Sequence, residues 1–264
     1  MNNAHIISVF AACAAMVAFA DSPLTPSPAP RTGGRNPKHV AAAGGMVVQE
    51  SSGNAFAYVD CRKTRSDLTP LCDKVSEMAM IKVIQVAGEA AGASDPVSYG
   101  QGLLKDATKY GAVVVIFEGK EDQPVLMALP ENRIATVNVT PLRKGADEEK
   151  FAVRLKKELW RAFAFAAGGA CSSTKYCVMQ PVLDPSDLDG IECSMASPYV
   201  TGSVFNAAPK YGFSRIKRMT YRTACREGWA PAPTNDVQKA IWEKIHSEKE
   251  RGPINGLKIV PPKK

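Results

Sequence analysis

The sequence predicts an α/β fold: a mixed twisted sheet with packed helices, then an irregular, disulfide-stapled C-terminal part with one terminal helix. Three observations carry this. Strand-like and helix-like stretches alternate from Met46 to Ala167. One of them, AVVVIFEG at 112–119, is apolar nearly throughout, as strands covered on both faces are. Two further strands flank the turn Pro130-Glu131-Asn132 just before a long helix, so the sheet is mixed and that helix packs beneath it.

Taken in order, MVVQ at 46–49 and AFAYVD at 55–60 are strands, with Gly53-Asn54 between them. Asp67-Leu68-Thr69-Pro70 starts a helix, with Pro in its first turn. The following LCDKVSEMAM has Leu71, Val75 and Met78 at helical spacing. IKVIQVAG is a strand, and SYGQGLLKDATKYG a short helix ending at Gly111. QPVLMALPENRIATVNV supplies the two strands around the turn. The helix from Glu148 to Ala167 opens after Asp147 with acids that suit its dipole. Phe151, Leu155, Leu159, Ala162, Phe163 and Ala166 give it an apolar face, and Gly168-Gly169 ends it. From Cys171 the chain is irregular, with one strand at Ile216–Cys225. A last helix runs from Asn235 to Ser247, capped by Thr234 or Asn235, with Val237, Ile241 and Ile245 as its apolar stripe.

The chain has 264 residues, 45% hydrophobic and 22% charged, enough for a sizeable core. Residues 1–20, MNNAHIISVFAACAAMVAFA, contain no acid, lysine or arginine, and their apolar run is too short to span a membrane. Ala18-Phe19-Ala20 is a small-x-small cleavage site, so 1–20 is read as a signal peptide. The protein is then secreted or periplasmic. Residues 21–45 form a Pro/Gly/Ala-rich spacer. Residues 46–264 form one α/β domain, divided into a sheet-and-helix part (46–170) and a C-terminal part (171–264). Cleavage removes Cys13 and leaves six cysteines: Cys61, Cys72, Cys171, Cys177, Cys193 and Cys225. An even count in an exported chain suggests disulfides, and proximity in sequence favours Cys61–Cys72, Cys171–Cys177 and Cys193–Cys225. A zinc cluster is the alternative, but no Cys-x-x-Cys pair occurs. Asn138-Val139-Thr140 is a glycosylation sequon.

The net charge is +7. The excess lies late, in Arg215, Lys217, Arg218, Arg222, Arg226, Lys258, Lys263 and Lys264. Such a surface attracts anionic partners, or is simply a solvated strand and tail. Export sets nucleic acid aside, and no second apolar run spans a membrane.

The stretch Lys156–Pro181, KKELWRAFAFAAGGACSSTKYCVMQP, holds the one pattern with chemistry behind it. A metzincin zinc peptidase uses H-E-x-x-H-x-x-G-x-x-H and a Met-turn: the histidines hold zinc and the Glu takes a proton from zinc-bound water. Here Lys157-Glu158-Leu159-Trp160-Arg161 stands at H-E-x-x-H, and Cys177-Val178-Met179 follows as Cys-x-Met. With the preceding strand order, residues 46–182 resemble the archaemetzincin branch of that clan. The resemblance implies a metzincin-like sheet and a site marked by Lys157, Glu158, Arg161 and Met179.

The departures decide the expected function. Lys157 and Arg161 replace two histidines, Ala164 stands at the glycine, and Ala167 at the third histidine. Cys171 lies later than the family spacing has it, and of the family's later Cys-x-x-Cys only Cys193 stands near. The mature chain has two histidines, His39 and His246, so three cannot be assembled. Lys157 and Arg161 repel a divalent metal, and Glu158 is left to pair with Arg161 or Arg154. There is no G-x-S-x-G elbow and no P-loop, and a Ser-His-Asp triad would need His39 or His246. A cysteine protease would need a free thiol near histidine. Asp184, Asp187 and Asp189 miss EF-hand spacing and read as a turn with a helix cap.

The expectation is a non-catalytic binding or interaction protein with no cofactor or metal, whose old cleft, lined by Arg161 and Glu158, takes a peptide, protein or anionic group. The alternatives are an atypical zinc metallopeptidase and a structural envelope or surface protein tethered by its basic tail.

Overall fold

A computed structural model describes residues 43–105, 109–169, 172 and 174–250, except the side chains of 248–250. The expected signal peptide and most of the spacer, with His39, lie outside the described residues. So do Cys171 and the basic tail with Lys258, Lys263 and Lys264.

Five strands make the main sheet: β2 (Ala55–Asp60), β3 (Val83–Ala87), β4 (Tyr110–Phe117), β5 (Leu126–Leu129) and β6 (Ile134–Asn138). Their order is β3-β2-β4-β6-β5. The first four are parallel, and β5 lies antiparallel on β6 at the edge. β2 and β4 are buried along their whole length, because helices cover both faces and leave no side for polar residues.

The two faces separate by alternation along each strand. Ala57, Val59, Val113, Val115 and Phe117 face α2 (Ala90–Ser94) and α3 (Pro96–Leu104). Phe56, Tyr58, Val114, Ile116, Ala135 and Val137 face α1 (Thr69–Ala79) and α4 (Glu148–Ala166). On that side Phe163 meets Phe56 edge-on at 4.8 Å, and the Tyr58 hydroxyl donates to the Leu159 carbonyl at 3.0 Å. Burying each of Leu159 and Phe163 contributes about 1.5–3 kcal/mol.

Several expectations are corrected. The helix expected to end at Gly111 ends at Leu104, and Tyr110-Gly111 begin β4. Gly111 is there for close approach, since a Cβ on it would lie 2.6 Å from the Phe213 ring. The C-terminal part is less irregular than expected. It contains α5 (Asp187–Gly190) and α6 (Pro198–Ala207), whose cap Ser197 accepts from Val200 N. The strand expected at Ile216–Cys225 is β7 (Ile216–Thr220) followed by α7 (Tyr221–Glu227). Thr220 stops the strand by accepting the Thr223 amide on its hydroxyl, and Tyr221, Ala224 and Cys225 then recur at helical spacing on a buried face. β7 does not join the main sheet. It pairs antiparallel with β1 (Met46–Glu50), and this pair packs with α7 and α8 (Asp236–Glu250) around Val47, Tyr221, Ile241 and Ile245. Val237, expected on the α8 stripe, is 48% exposed, and Gln238 is buried instead, donating to the Gly44 carbonyl.

The disulfide framework is also corrected. Cys61, Cys72, Cys177 and Cys193 are free thiols. Cys61 packs on the α2–α3 face of the sheet and Cys72 on the α1–α4 face, so a bond between them would have to cross the sheet. The Cys177 sulfur accepts from the Ser197 amide, and the Cys193 thiol donates to the Met195 carbonyl. Cys225 is buried in the β1–β7–α7–α8 cluster. Burial pushes the Cys72 thiol up to about 12, so little thiolate forms for oxidation. The Asn138 sequon is sealed as well. Its side chain is fully buried, accepts from Gly119 N and Thr140 N, and donates to the Lys120 carbonyl.

Candidate functional site

α4 has two working faces. Asp147 caps it by accepting the Lys150 amide at 2.8 Å, with Glu148 and Glu149 in the first turn. One face carries the apolar residues already placed on the sheet. The other carries cations at Lys150, Arg154, Lys157 and Arg161. Steps of four, three and four residues keep them in one row along the helix.

Every cation in the row is engaged by the segments around it. Lys150 Nζ lies 2.9 Å from Asp189 Oδ2. Arg154 holds Asp189 with both arms of its fork, Nε to Oδ1 at 2.8 Å and Nη2 to Oδ2 at 2.6 Å. Its Nη1 donates to the carbonyls of Leu142 and Lys144. Lys157 Nζ donates to the carbonyls of Leu188 and Ile191, at 2.6 and 2.7 Å. Arg161 Nη1 donates to the carbonyls of Val178, at 3.1 Å, and Gln180. Arg161 Nε faces Glu158 Oε2 at 3.2 Å, off the line of a hydrogen bond, so the two form an ion pair.

The expected cleft residues are therefore closed in. Glu158 is 1% exposed and Arg161 7%, which corrects the reading of them as walls of an open cleft: their polar atoms face internal partners. The Arg161 bond to Val178 ties the Cys177-Val178-Met179 turn to this part of α4. Met179 is buried in the same apolar cluster as Leu159 and Phe163. The electrostatics follow from burial. Arg154, with Lys150, holds the Asp189 carboxyl well below the usual carboxylate range, and Asp189 in turn raises Arg154. Desolvation lowers the Lys157 ammonium. Burial raises the Glu158 carboxyl, with Arg161 opposing it.

The zinc that the family resemblance implies does not fit these residues. An ammonium and a guanidinium have no lone pair for a metal, and those of Lys157 and Arg161 are already directed at carbonyls. Among the described residues, no group of three His, Cys, Asp or Glu side chains is placed to hold a metal ion. His246 stacks on Trp242 at 4.1 Å, with Nδ1 on the Trp242 carbonyl.

Sequence reasoning missed Arg154 and Asp189 as a pair. The signal for Arg154 was present in the cation spacing at 150, 154, 157 and 161. Asp189 was visible only as one of three acids. Asp184 and Asp187 do form the expected turn: Asp187 accepts the amides of Leu183 and Asp184, and Asp184 accepts that of Ser186. Asp189 instead turns to α4.

No family model matches the chain, and no curated protein does. Among solved structures, the chain is similar to an archaemetzincin from Methanopyrus kandleri, with 18% identity over 60% of this chain and 97% of that one, at a TM-score of 0.44. A zinc-dependent peptidase from Methanocorpusculum labreanum shares 11% over 57% and 99%, at 0.42. An archaemetzincin from Archaeoglobus fulgidus shares 15% over 56% and 99%, at 0.40.

Proposed function

We propose that this chain is an exported, non-catalytic interaction protein on an archaemetzincin-like framework, in which the helix that carries zinc ligands in that family has become a structural clamp. The observation that carries this is the use of Lys157 and Arg161. Each donates to two carbonyls of the segment that follows α4, so the cations themselves tie the loop to the helix. Export and free thiols are compatible on this reading, because buried thiols such as Cys72 oxidise slowly.

Elemental analysis of the purified full chain, with a peptide-cleavage assay, tests it. The expected result is substoichiometric zinc, no cleavage, and a thermal midpoint unmoved by chelator. Stoichiometric zinc with chelator-sensitive cleavage overturns it in favour of the atypical metallopeptidase. N-terminal sequencing of the exported protein is expected to begin at Asp21.

A further inference from the structure

We infer that the outer face of the β1–β7 pair, with the adjoining side of α7, docks on an anionic phospholipid surface. Antiparallel pairing places Val48 opposite Arg218 and Met46 opposite Thr220, so these four side chains share one face. The opposite face, with Val47 and Met219, packs on Tyr221 and Ile241. Val48 is 58% exposed, which is unusual for a valine in a paired strand.

Arg218 stands directly across from it, and two more exposed arginines, Arg222 and Arg226, lie one turn apart on α7, the helix that continues β7. The Arg222 amide bonds the Ala43 carbonyl, three residues before Met46, so the start of α7 and the Met46–Thr220 end of the strand pair are adjacent. Among the described residues, the side chains of Arg218, Arg222 and Arg226 have no ion pair or hydrogen bond. The neighbouring charges are already engaged. Arg215 stacks on Phe205, Lys217 approaches Glu227 at 4.0 Å, and Glu50 pairs with Lys82.

Arg218 beside exposed Val48, with Arg222 and Arg226 exposed on the following helix and all three without a side-chain partner among the described residues, match a lipid surface on both counts: headgroup charge for the cations and acyl boundary for Val48. Nucleic acid fits less well, because the side chains of this strand face (Met46, Val48, Glu50, Ile216, Arg218 and Thr220) include no aromatic ring for bases to stack on. This inference is independent of whether the α4 site is catalytic.

Co-sedimentation of the full chain with vesicles of phosphatidylcholine, alone or with one-third phosphatidylglycerol, tests it. The expected result is binding to the anionic vesicles alone, lost at high salt. Neutralising all three arginines (Arg218→Gln, Arg222→Gln, Arg226→Gln) is expected to weaken partitioning about 100-fold, taking each basic residue at its usual worth near such a surface. Val48→Ser is expected to cost a few-fold. The arginines make no described bonds, so the thermal midpoint should stay put and show that the fold is intact. Equal binding to neutral vesicles overturns the inference. So does unchanged binding by the triple variant, or a loss produced only by Lys258→Gln, Lys263→Gln and Lys264→Gln. Arginine-dependent binding to duplex DNA with none to vesicles also overturns it, in favour of nucleic acid.

Discussion

One face of the main sheet is covered by α2 and α3, and the other by α1 and α4. The first cover is apolar and short. It works by shape: Gly88 and Gly92 leave the room that the Cys61 sulfur occupies, and a Cβ on either would overlap it. The second cover is apolar only where α4 meets the sheet. Its far side is a row of cations, Lys150 exposed and Arg154, Lys157 and Arg161 buried, bonded to carbonyls and to Asp189. The difference shows two ways of attaching a helix to its surroundings. On the first face, removing water from hydrocarbon suffices. Behind α4, long charged side chains satisfy main-chain carbonyls that a turn-rich segment cannot satisfy by itself.

The largest expected effect tests the cationic row. Arg161→Met leaves Glu158 buried without its cation and two carbonyls without their donor. A loss of about 3–5 kcal/mol in urea unfolding is expected, as when one member of a buried pair is removed. Adding Glu158→Leu should return a large part of it, since an apolar pair avoids the stranded charge. If Arg161→Met alone costs nothing, the row does not clamp.

Asp189→Asn comes next. Losing the charge-assisted bonds to Arg154 and Lys150 is expected to cost about 2–3 kcal/mol near neutral pH. The carboxyl is held below its ordinary value when folded, so its stabilisation is present above the unfolded value, about 3.9, and is lost as pH falls below that. The wild-type protein should therefore lose urea resistance steeply below about pH 4, and the variant less steeply. Parallel acid limbs would remove Asp189 from the account.

The opposite face is tested by Gly88→Ala, which forces a methyl group onto Cys61. Overpacking of this kind costs about 1–3 kcal/mol, and Cys61→Ala in the same chain should relieve part of it. No relief would mean that the glycine serves something other than the sulfur. The smallest effect is Tyr58→Phe. It removes the hydroxyl bond to the Leu159 carbonyl and should lower the unfolding free energy by about 0.5–1.5 kcal/mol.

Legibility followed the kind of force at work. AVVVIFEG was readable as a doubly covered strand because the face-to-face burial of β4 is written into its own residues. α4 was readable from Phe151 to Ala166 because helical periodicity is local. Lys157 and Arg161 were noticed for the histidines they are not. Their partners, the carbonyls of Val178, Gln180, Leu188 and Ile191, carry no side-chain signature, so no reading of residue types could have found them. β7 was run on to Cys225 because Thr220 caps a helix with the same hydroxyl that suits a strand. The cysteines misled for a related reason: an even count is a property of composition, whereas pairing needs two sulfurs brought within bonding reach.

By itself the sequence determined the alternation of strands and helices, the apolar face of α4 and the shortage of histidines, because period and residue count are carried by the chain locally. Tertiary structure decided which strand pairs with β1, which thiols stay apart, and that Glu158 and Arg161 close on each other and on the downstream segment. Those outcomes depend on contacts between residues far apart in sequence, and on main-chain groups that every residue shares.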